Sequence, residues 1–129
     1  MRVLPDTNVF IKYWEERDGS AEELEKMFSE EEIVVCGVVR AELLHGAVSD
    51  KHLKSMSAML DAFEEADLEK ADWQFLGENM YRLRTHGVTV PLADVIIATV
   101  AIKNRITVWT HDNHFKLMQD VLQDLQIMT

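Results

Sequence analysis

Residues 2–10, with the sequence RVLPDTNVF, are the stretch that decides the fold. Its apolar start predicts a very short buried strand that ends at Asp6. The apolar spacing that follows is typical of a helix, which Thr7 or Asn8 is predicted to cap. In open parallel α/β sheets, ligands bind outside the carboxyl ends of the strands. Asp6 is therefore expected at a functional site, and the other acids of the chain are candidates to accompany it.

The composition indicates one globular domain that spans residues 1–129. A chain of 129 residues can bury a sizeable core, and 47% of these residues are hydrophobic. The one cysteine, Cys36, lies in an apolar run and is expected to be a buried thiol. No uncharged apolar run approaches the length that spans a membrane. We therefore expect a cytoplasmic protein without a membrane partner.

The formal net charge of −10 argues against nonspecific binding of nucleic acid, which usually needs a basic excess. A role in nucleic-acid chemistry must then rest on a local site, with metal ions that offset the acids. The basic residues are scattered along the chain. Arg40, two residues before Glu42, is the first candidate for a contact with RNA.

Strand-like and helix-like segments alternate, which predicts an α/β fold with a parallel sheet between helices. The other strands are expected at residues 32–36, where Gly37 breaks the strand, and at residues 107–110. Residues 64–70 fit either an edge strand or a loop. Further helices are predicted over residues 38–47, from Ser49 onward, over 72–85 and over 115–119. A turn at residues 17–20 precedes a helix capped by Ser20 and Glu23, with Leu24, Met27 and Phe28 facing inward.

The segment 95–102 is predicted to be a central helix, because only Thr99 in it is polar. Pro91 suits the first turn of this helix. Its one charged residue, Asp94, lies in the same turn, where unpaired backbone amides and the helix dipole favour an anion.

Four acids are candidates for chemistry because of their positions. Asp6 and Asp112 each follow a predicted strand, and Glu42 and Asp94 lie near the starts of helices. Right-handed crossovers bring strand ends and the following helix starts to one edge of a parallel sheet, so the four can converge. Four clustered carboxylates repel each other, and hard divalent cations such as Mg²⁺ or Mn²⁺ remove that repulsion. Such ions can generate hydroxide and support displacement at phosphorus.

Each of these acids also has a structural interpretation when it is taken alone. Asp94 can be a helix cap, Glu42 can pair with Arg40, and Asp112 can cap the last helix. His111 and His114, three residues apart, fit a zinc pair only weakly, because no cysteine lies nearby. We favour a metal site because all four acids are predicted on one edge of one sheet.

Four motifs carry a resemblance to the PIN domain family, and within it to the compact VapC-type toxins of bacteria and archaea. They follow the family's order and span nearly the whole chain: Asp6-Thr7-Asn8, Glu42-Leu43-Leu44-His45-Gly46, Gly87 followed by Leu92-Ala93-Asp94-Val95-Ile96-Ile97-Ala98, and Thr110-His111-Asp112-Asn113-His114-Phe115. The ordered set is more specific than any one motif. The region around residues 64–70 and the tail at 120–129 match the family pattern poorly.

The resemblance implies a three-layer α/β/α sandwich with a central parallel sheet and a Mg²⁺- or Mn²⁺-dependent endoribonuclease. It implies that a quartet of acids is both catalytic and metal-binding: Asp6, Glu42, Asp94 and Asp112. Asn8 and Thr110 would be supporting groups that orient those carboxylates or bound water. It also implies an RNA substrate with a single-stranded loop, a homodimer, and a VapB-like antitoxin whose tail covers the acidic cleft.

Functions of other classes are also compatible with an acidic site. A phosphatase with Asp6 as nucleophile would need a second acid two residues later, where the chain has Asn8. A non-catalytic module that binds protein or RNA would be favoured by a missing quartet member, and none is missing. A PIN nuclease that processes RNA outside a toxin system stays open, because the sequence of this chain does not distinguish it.

Overall fold

The computed structural model describes residues 1–15, 26 and 28–129. The predicted turn at residues 17–20, the cap formed by Ser20 and Glu23, and the positions of Leu24 and Met27 lie outside these residues. Phe28 is described, and it packs against the core as predicted. Its ring stacks on Tyr13 with centroids 4.2 Å apart and meets the edge of Phe10 at 5.4 Å.

The described elements alternate as the sequence pattern predicts. The strands are β1 (Arg2–Pro5), β2 (Glu32–Val35), β3 (Glu64–Glu65), β4 (Thr107–Trp109) and β5 (Ile127–Met128). The helices are α1 (Thr7–Glu15), α2 (Gly37–His45), α3 (Asp50–Leu60), α4 (Asp72–Thr85), α5 (Leu92–Asn104) and α6 (Asn113–Val121). The predicted three-layer α/β/α sandwich is confirmed. No helix among the described residues is long and apolar enough to cross a membrane.

The strands form one parallel sheet in the order β3-β2-β1-β4-β5. The central strand β1 aligns Val3 with Ile33 of β2 on one side and with Thr107 of β4 on the other. Residues 64–70, which fitted a strand or a loop, contribute the two-residue edge strand β3 beside β2. The weakly patterned tail supplies β5 at the opposite edge.

Helix α5 is the central buried helix that the sequence predicts. Val95, Ala98 and Val100 are almost completely buried in the core. The hydroxyl of Thr99, which is fully buried, donates to the Val95 carbonyl at 2.7 Å and accepts from the Asn79 amide at 3.1 Å. The one polar residue of this stretch is thereby satisfied inside the core, as a buried polar group must be.

Several element boundaries differ from the predictions. The side chain that receives a backbone N–H at the start of α1 is Asp6, not Thr7 or Asn8, since its Oδ1 accepts from Val9 N at 3.0 Å. Gly37 does not break a strand but begins α2, and its N–H donates to Asp67 Oδ1 at 2.8 Å. A Cβ at this position would lie 3.2 Å from the same oxygen, so the close approach favours glycine.

The remaining predicted boundaries shift by a few residues. Helix α2 ends at His45, and α6 extends over Asn113–Val121 because Asp112 caps it before Phe115. Ser49 caps α3 as predicted, with its hydroxyl accepting from His52 N at 3.0 Å. Gly87, at φ +76°, follows the end of α4 as predicted.

Candidate active site

The site lies where the strand order of the sheet changes direction. From β1 the chain continues to β2 on one side, and only later reaches β4 on the other. Asp6 follows β1, and Thr110 and Asp112 follow β4, so they meet at the carboxyl ends of two adjacent strands. This crevice is the usual ligand position in open α/β sheets.

Asp6 is held rigidly at the base of the site. It is 4% exposed, and its Oδ2 accepts from the Thr110 hydroxyl at 2.5 Å, while its Oδ1 accepts from Val9 N. The Thr110 Oγ1 atom also accepts from the backbone N–H of Asp112 at 2.9 Å, which joins the two strand ends. Burial raises the pKa of Asp6 above its ordinary value, against the lowering effect of its hydrogen bonds, and the charge of Asp112 raises it further.

Asp94 and Asp112 approach each other across the side chain of His114. Nδ1 of His114 lies 2.9 Å from Asp94 Oδ2 and 3.4 Å from Asp112 Oδ1. Burial is the largest cause that raises the pKa of Asp94; the hydrogen bond with His114 lowers it, and the charges of Asp112 and Asp6 raise it. The structure therefore brings three of the four predicted acids together.

The structural interpretations of these acids have different outcomes. Asp112 does cap α6, with its Oδ1 accepting from His114 N at 2.9 Å. Asp94 is not a cap, because Pro91 occupies the capping position of α5 and no side chain bonds there. Asp112 therefore both caps α6 and belongs to the acidic cluster.

Glu42 lies at the border of this cluster. It is the sixth residue of α2, which places it in the second turn of that helix. Its exposed side chain accepts from the Thr7 hydroxyl at 2.7 Å, next in the chain to Asp6. It does not pair with Arg40, whose guanidinium instead contacts Glu65 at 2.6 Å and Asp61 at 2.9 Å. Arg40 is therefore already neutralised, which weakens its candidacy for RNA contact.

Two further side chains bear on the predicted site. Asn8 is exposed on α1, and its supporting role stays a prediction. His114 was missed as a companion of the acids and was considered only with His111 as a zinc pair. Within the described part of the chain, the cluster suited to a metal contains Asp94, Asp112 and His114, and His111 is not among them. The sequence feature that could have identified His114 is its position two residues after Asp112, on the helix that Asp112 caps.

The donor set fits a divalent cation. Asp94, Asp112 and His114 each offer a ligand atom, and these atoms lie within 4.8 Å of one another. Asp6 is linked to this group in two ways. Its charge raises the pKa of Asp94, and it shares Thr110 with Asp112, whose backbone N–H donates to the Thr110 hydroxyl. Among the described residues, no Lys or Arg forms an ion pair with Asp6, Asp94 or Asp112. Carboxylate-rich sites suit Mg²⁺ and Mn²⁺, and such a cation would offset the burial and the mutual repulsion that raise the pKa values of Asp6 and Asp94.

A second surface is apolar and lies beside this site. Trp73 and Tyr81 of α4 are 57% and 60% exposed. A groove of about 550 Å³ runs from Met80 and Tyr81 to Leu92 and Val95 of α5, the helix that also carries Asp94. Met56 is buried in the core and Met59 packs against it, whereas Trp73 and Tyr81 face solvent.

Comparison with known proteins identifies one family and a group of similar folds. The profile of the PIN domain family matches residues 3–121. No curated protein sequence matches. Solved structures with a similar fold include a chain of VapBC2 from Rickettsia felis bound to a promoter DNA fragment, with 22% identity, TM-score 0.79 and coverage of 99% of this chain and 98% of that one.

Two other solved structures have the same fold. A chain of VapBC-1 from nontypeable Haemophilus influenzae is 21% identical, with TM-score 0.78 and coverage of 99% of this chain and 97% of that one. VapC20 of Mycobacterium tuberculosis, described as a Sarcin-Ricin loop cleaving toxin, is 11% identical, with TM-score 0.62 and coverage of 85% and 89%. At these identities the likeness shows a shared fold.

Proposed function

Because the chain belongs to the PIN domain family, we propose that it is a divalent-cation-dependent endoribonuclease and the toxin of a toxin–antitoxin pair. The observation that carries the proposal is the convergence of Asp6, Asp94 and Asp112 at the switch point of the sheet. Within the described residues they have no Lys or Arg counter-ion. Repulsion within such a cluster lowers the stability of the fold. A functional role in binding a cation would explain why the chain carries this cluster.

In this proposal the predicted quartet holds the metal and acts in catalysis. Asp6, Asp94 and Asp112 would hold Mg²⁺ or Mn²⁺, with Glu42 at the solvent side of the site. When bound, the cation would lower the pKa of a water molecule and offset charge on the phosphate. Carboxylates must be deprotonated to bind a metal, so the raised pKa values of Asp6 and Asp94 predict weaker binding in acid.

The residues around the quartet would hold it in position. The Thr110 hydroxyl donates to Asp6 and accepts from the Asp112 backbone, so it fixes the spacing of two carboxylates. The Thr7 hydroxyl orients Glu42 in the same way. Fixed donors reduce the reorganisation that a loose site would need at the moment of reaction. Asn8, which is exposed beside Thr7, would contact water or substrate.

The substrate proposed is RNA with an accessible single-stranded loop. The net charge of −10 would repel an RNA duplex, so recognition must be concentrated near the metal. Single-stranded loops expose bases that can be splayed and stacked on aromatic side chains. The likeness to VapC20, described as a loop-cleaving toxin, supports this class of substrate.

Two protein partners are proposed. A VapB-like antitoxin would cover the acidic cleft, in line with the VapBC complexes from Rickettsia felis and Haemophilus influenzae that share the fold. A homodimer would bury Trp73 and Tyr81, whose exposure is unusual for large aromatic side chains. Sedimentation of the wild-type chain and of Tyr81→Glu tests the homodimer, and a wild-type monomer at micromolar concentration would exclude it.

The decisive experiment is cleavage of a labelled RNA that contains a stem and loop. The wild-type chain should cleave it with Mg²⁺ or Mn²⁺, and EDTA should stop the reaction. Asp94→Asn should be inactive, while Asp72→Asn, a helix-start acid outside the cluster, should cleave normally. Cleavage that persists in EDTA would refute the proposed mechanism. A small neighbouring gene whose product blocks cleavage would distinguish a toxin from an RNA-processing nuclease.

A further inference from the structure

His114 is the histidine that joins Asp94 and Asp112 in the cluster of possible metal ligands found among the described residues. Its Nδ1 atom lies 2.9 Å from Asp94 Oδ2 and 3.4 Å from Asp112 Oδ1. Its backbone N–H donates to Asp112 Oδ1 at 2.9 Å, so the start of α6 fixes the origin of the side chain. The side chain is 40% exposed and thus stays accessible from solvent.

We propose that His114 is a nitrogen ligand of the metal site and makes that site prefer Mn²⁺ over Mg²⁺. This inference rests on the proposed function and extends it to the identity of the cation. An all-oxygen donor set of carboxylates and water suits Mg²⁺ and Mn²⁺ alike. An imidazole nitrogen is a softer donor, and Mn²⁺, as a first-row transition metal, accepts it more readily than the hard Mg²⁺ does, so the imidazole of His114 favours Mn²⁺ over Mg²⁺.

The contacts of His114 also permit a different role, which makes a different prediction. The ring can donate a hydrogen bond to Asp94 and orient that carboxylate without touching the metal. An orienting residue would strengthen the binding of both cations alike. A nitrogen ligand would strengthen the binding of Mn²⁺ more than that of Mg²⁺. The ratio of the two affinities therefore distinguishes the roles.

Calorimetric titration with each metal alone, without RNA, measures this ratio. His114→Ala should weaken Mn²⁺ binding by about tenfold or more, because even the loss of a residue that only orients a metal ligand costs about 10–100-fold in affinity. The same substitution should weaken Mg²⁺ binding less. His114→Gln keeps a hydrogen-bond donor but loses the imidazole, and it should behave as His114→Ala. His86→Ala, on a histidine that contacts the Arg82 carbonyl away from the site, is the matched control and should match wild type.

Pulsed electron paramagnetic resonance of the Mn²⁺-loaded protein gives an independent readout. Wild type and His86→Ala should show modulation from a bound imidazole nitrogen, and His114→Gln should lack it. Equal losses for both metals in His114→Ala, a wild-type ratio in His114→Gln, or no nitrogen modulation in wild type would each overturn the inference.

These outcomes can be separated from failure of the proposed function. Metal-dependent RNA cleavage with an unchanged affinity ratio would remove only the role of His114. Failure of the wild-type chain to bind either metal would contradict both proposals.

Discussion

Two groups of acids in this protein differ in what lies beside them. The first group lies around the β3 edge of the sheet and the start of α4, and each of its members contacts a basic side chain. We call them the paired acids: Asp61, Glu64, Glu65 and Asp72. The guanidinium of Arg2 donates two hydrogen bonds to Glu64, at 2.6 and 3.3 Å. Arg40 contacts Asp61 and Glu65, and Lys103 contacts Asp72. The site acids, Asp6, Asp94 and Asp112, contact only hydroxyl, backbone and imidazole donors among the described residues.

One paired acid and two site acids have pKa values that shift in opposite directions. The hydrogen bond from Lys103 lowers the pKa of Asp72, whereas burial raises the pKa of Asp6 and Asp94. Ionised Asp72 thus favours the folded state, and ionised Asp6 and Asp94 oppose it. An acid that is ionised at a cost to the fold indicates a functional role more strongly than an acid count does.

The largest expected effect is on RNA cleavage. Asp94→Asn should lower it by about a hundredfold or more, since even outer-sphere partners of a metal can cost about 10–100-fold. Asp6→Asn should do the same, and Asp112→Asn should be milder, because Asp112 lies at the rim of the site and is more exposed than Asp94 or Asp6. Cleavage assays at saturating Mg²⁺ measure the loss. Full metal-dependent cleavage by Asp94→Asn would remove Asp94 from the site, and Asp72→Asn is the control.

The next effect is on thermal stability with and without metal. Without metal, Asp94→Asn should melt at or above the wild-type temperature, because one charge leaves a repelling cluster. Mg²⁺ should raise the melting temperature of wild type by mass action and raise that of the variant less. Differential scanning calorimetry measures both. A variant that melts lower than wild type in EDTA would mean that Asp94 is a structural acid.

The contributions of Asp94 and Asp72 to stability should depend on pH with opposite signs in EDTA. The folded-state pKa of Asp94 is raised, so its stabilising contribution is complete below 3.8 and is lost as pH rises through the raised value. The pKa of Asp72 is lowered, so its contribution is present above 3.8 and is lost as pH falls through the lowered value.

Urea denaturation between about pH 3 and about pH 7 measures both slopes, because the Asp72 contribution changes below 3.8 and the Asp94 contribution changes above it. The unfolding free energy of Asp94→Asn should fall less than that of wild type as pH rises. The difference between wild type and Asp72→Asn should grow over the same range. Parallel profiles for all three proteins would erase the distinction between the two groups of acids.

The smallest effect is expected for the paired acids themselves. Arg40→Met removes two ion pairs whose acids are largely exposed, so it should lower the unfolding free energy by less than about 1 kcal/mol. The response to Mg²⁺ and the rate of RNA cleavage should not change. A marked loss of cleavage in Arg40→Met, with the fold intact, would restore Arg40 as an RNA contact.

The sequence predicts those features that depend on strong local patterns. Continuous apolar runs identify β1, β2 and α5, because buried parallel strands and central helices carry few polar residues. Asp6 and Asp112 follow from these elements, since a strand end fixes the position of the next residue. The two-residue strands β3 and β5 could not be predicted, because so short a strand depends on its neighbours for its hydrogen bonds.

The errors at the site share one cause. The alternative interpretation that paired Arg40 with Glu42, two residues away, fails because residues at that spacing on a helix point in different directions. Its partner Glu65 comes 25 residues later, on an edge strand whose position the sequence left open. His114 was likewise assigned to its chain neighbour His111, while its contact Asp94 lies 20 residues earlier on another helix. Contacts between elements require the fold before they can be assigned.

The hydrogen bond between Thr110 and Asp6 joins residues 104 positions apart. During synthesis the central strand β1 leaves the ribosome well before its neighbour β4, which brings the Thr110 hydroxyl. A nascent chain that lacks β4 would therefore carry Asp6 with its local contact to Val9 but without the hydroxyl that holds its second oxygen. The site is complete only after β4 has paired with β1, so its assembly depends on the longest-range contact of the sheet.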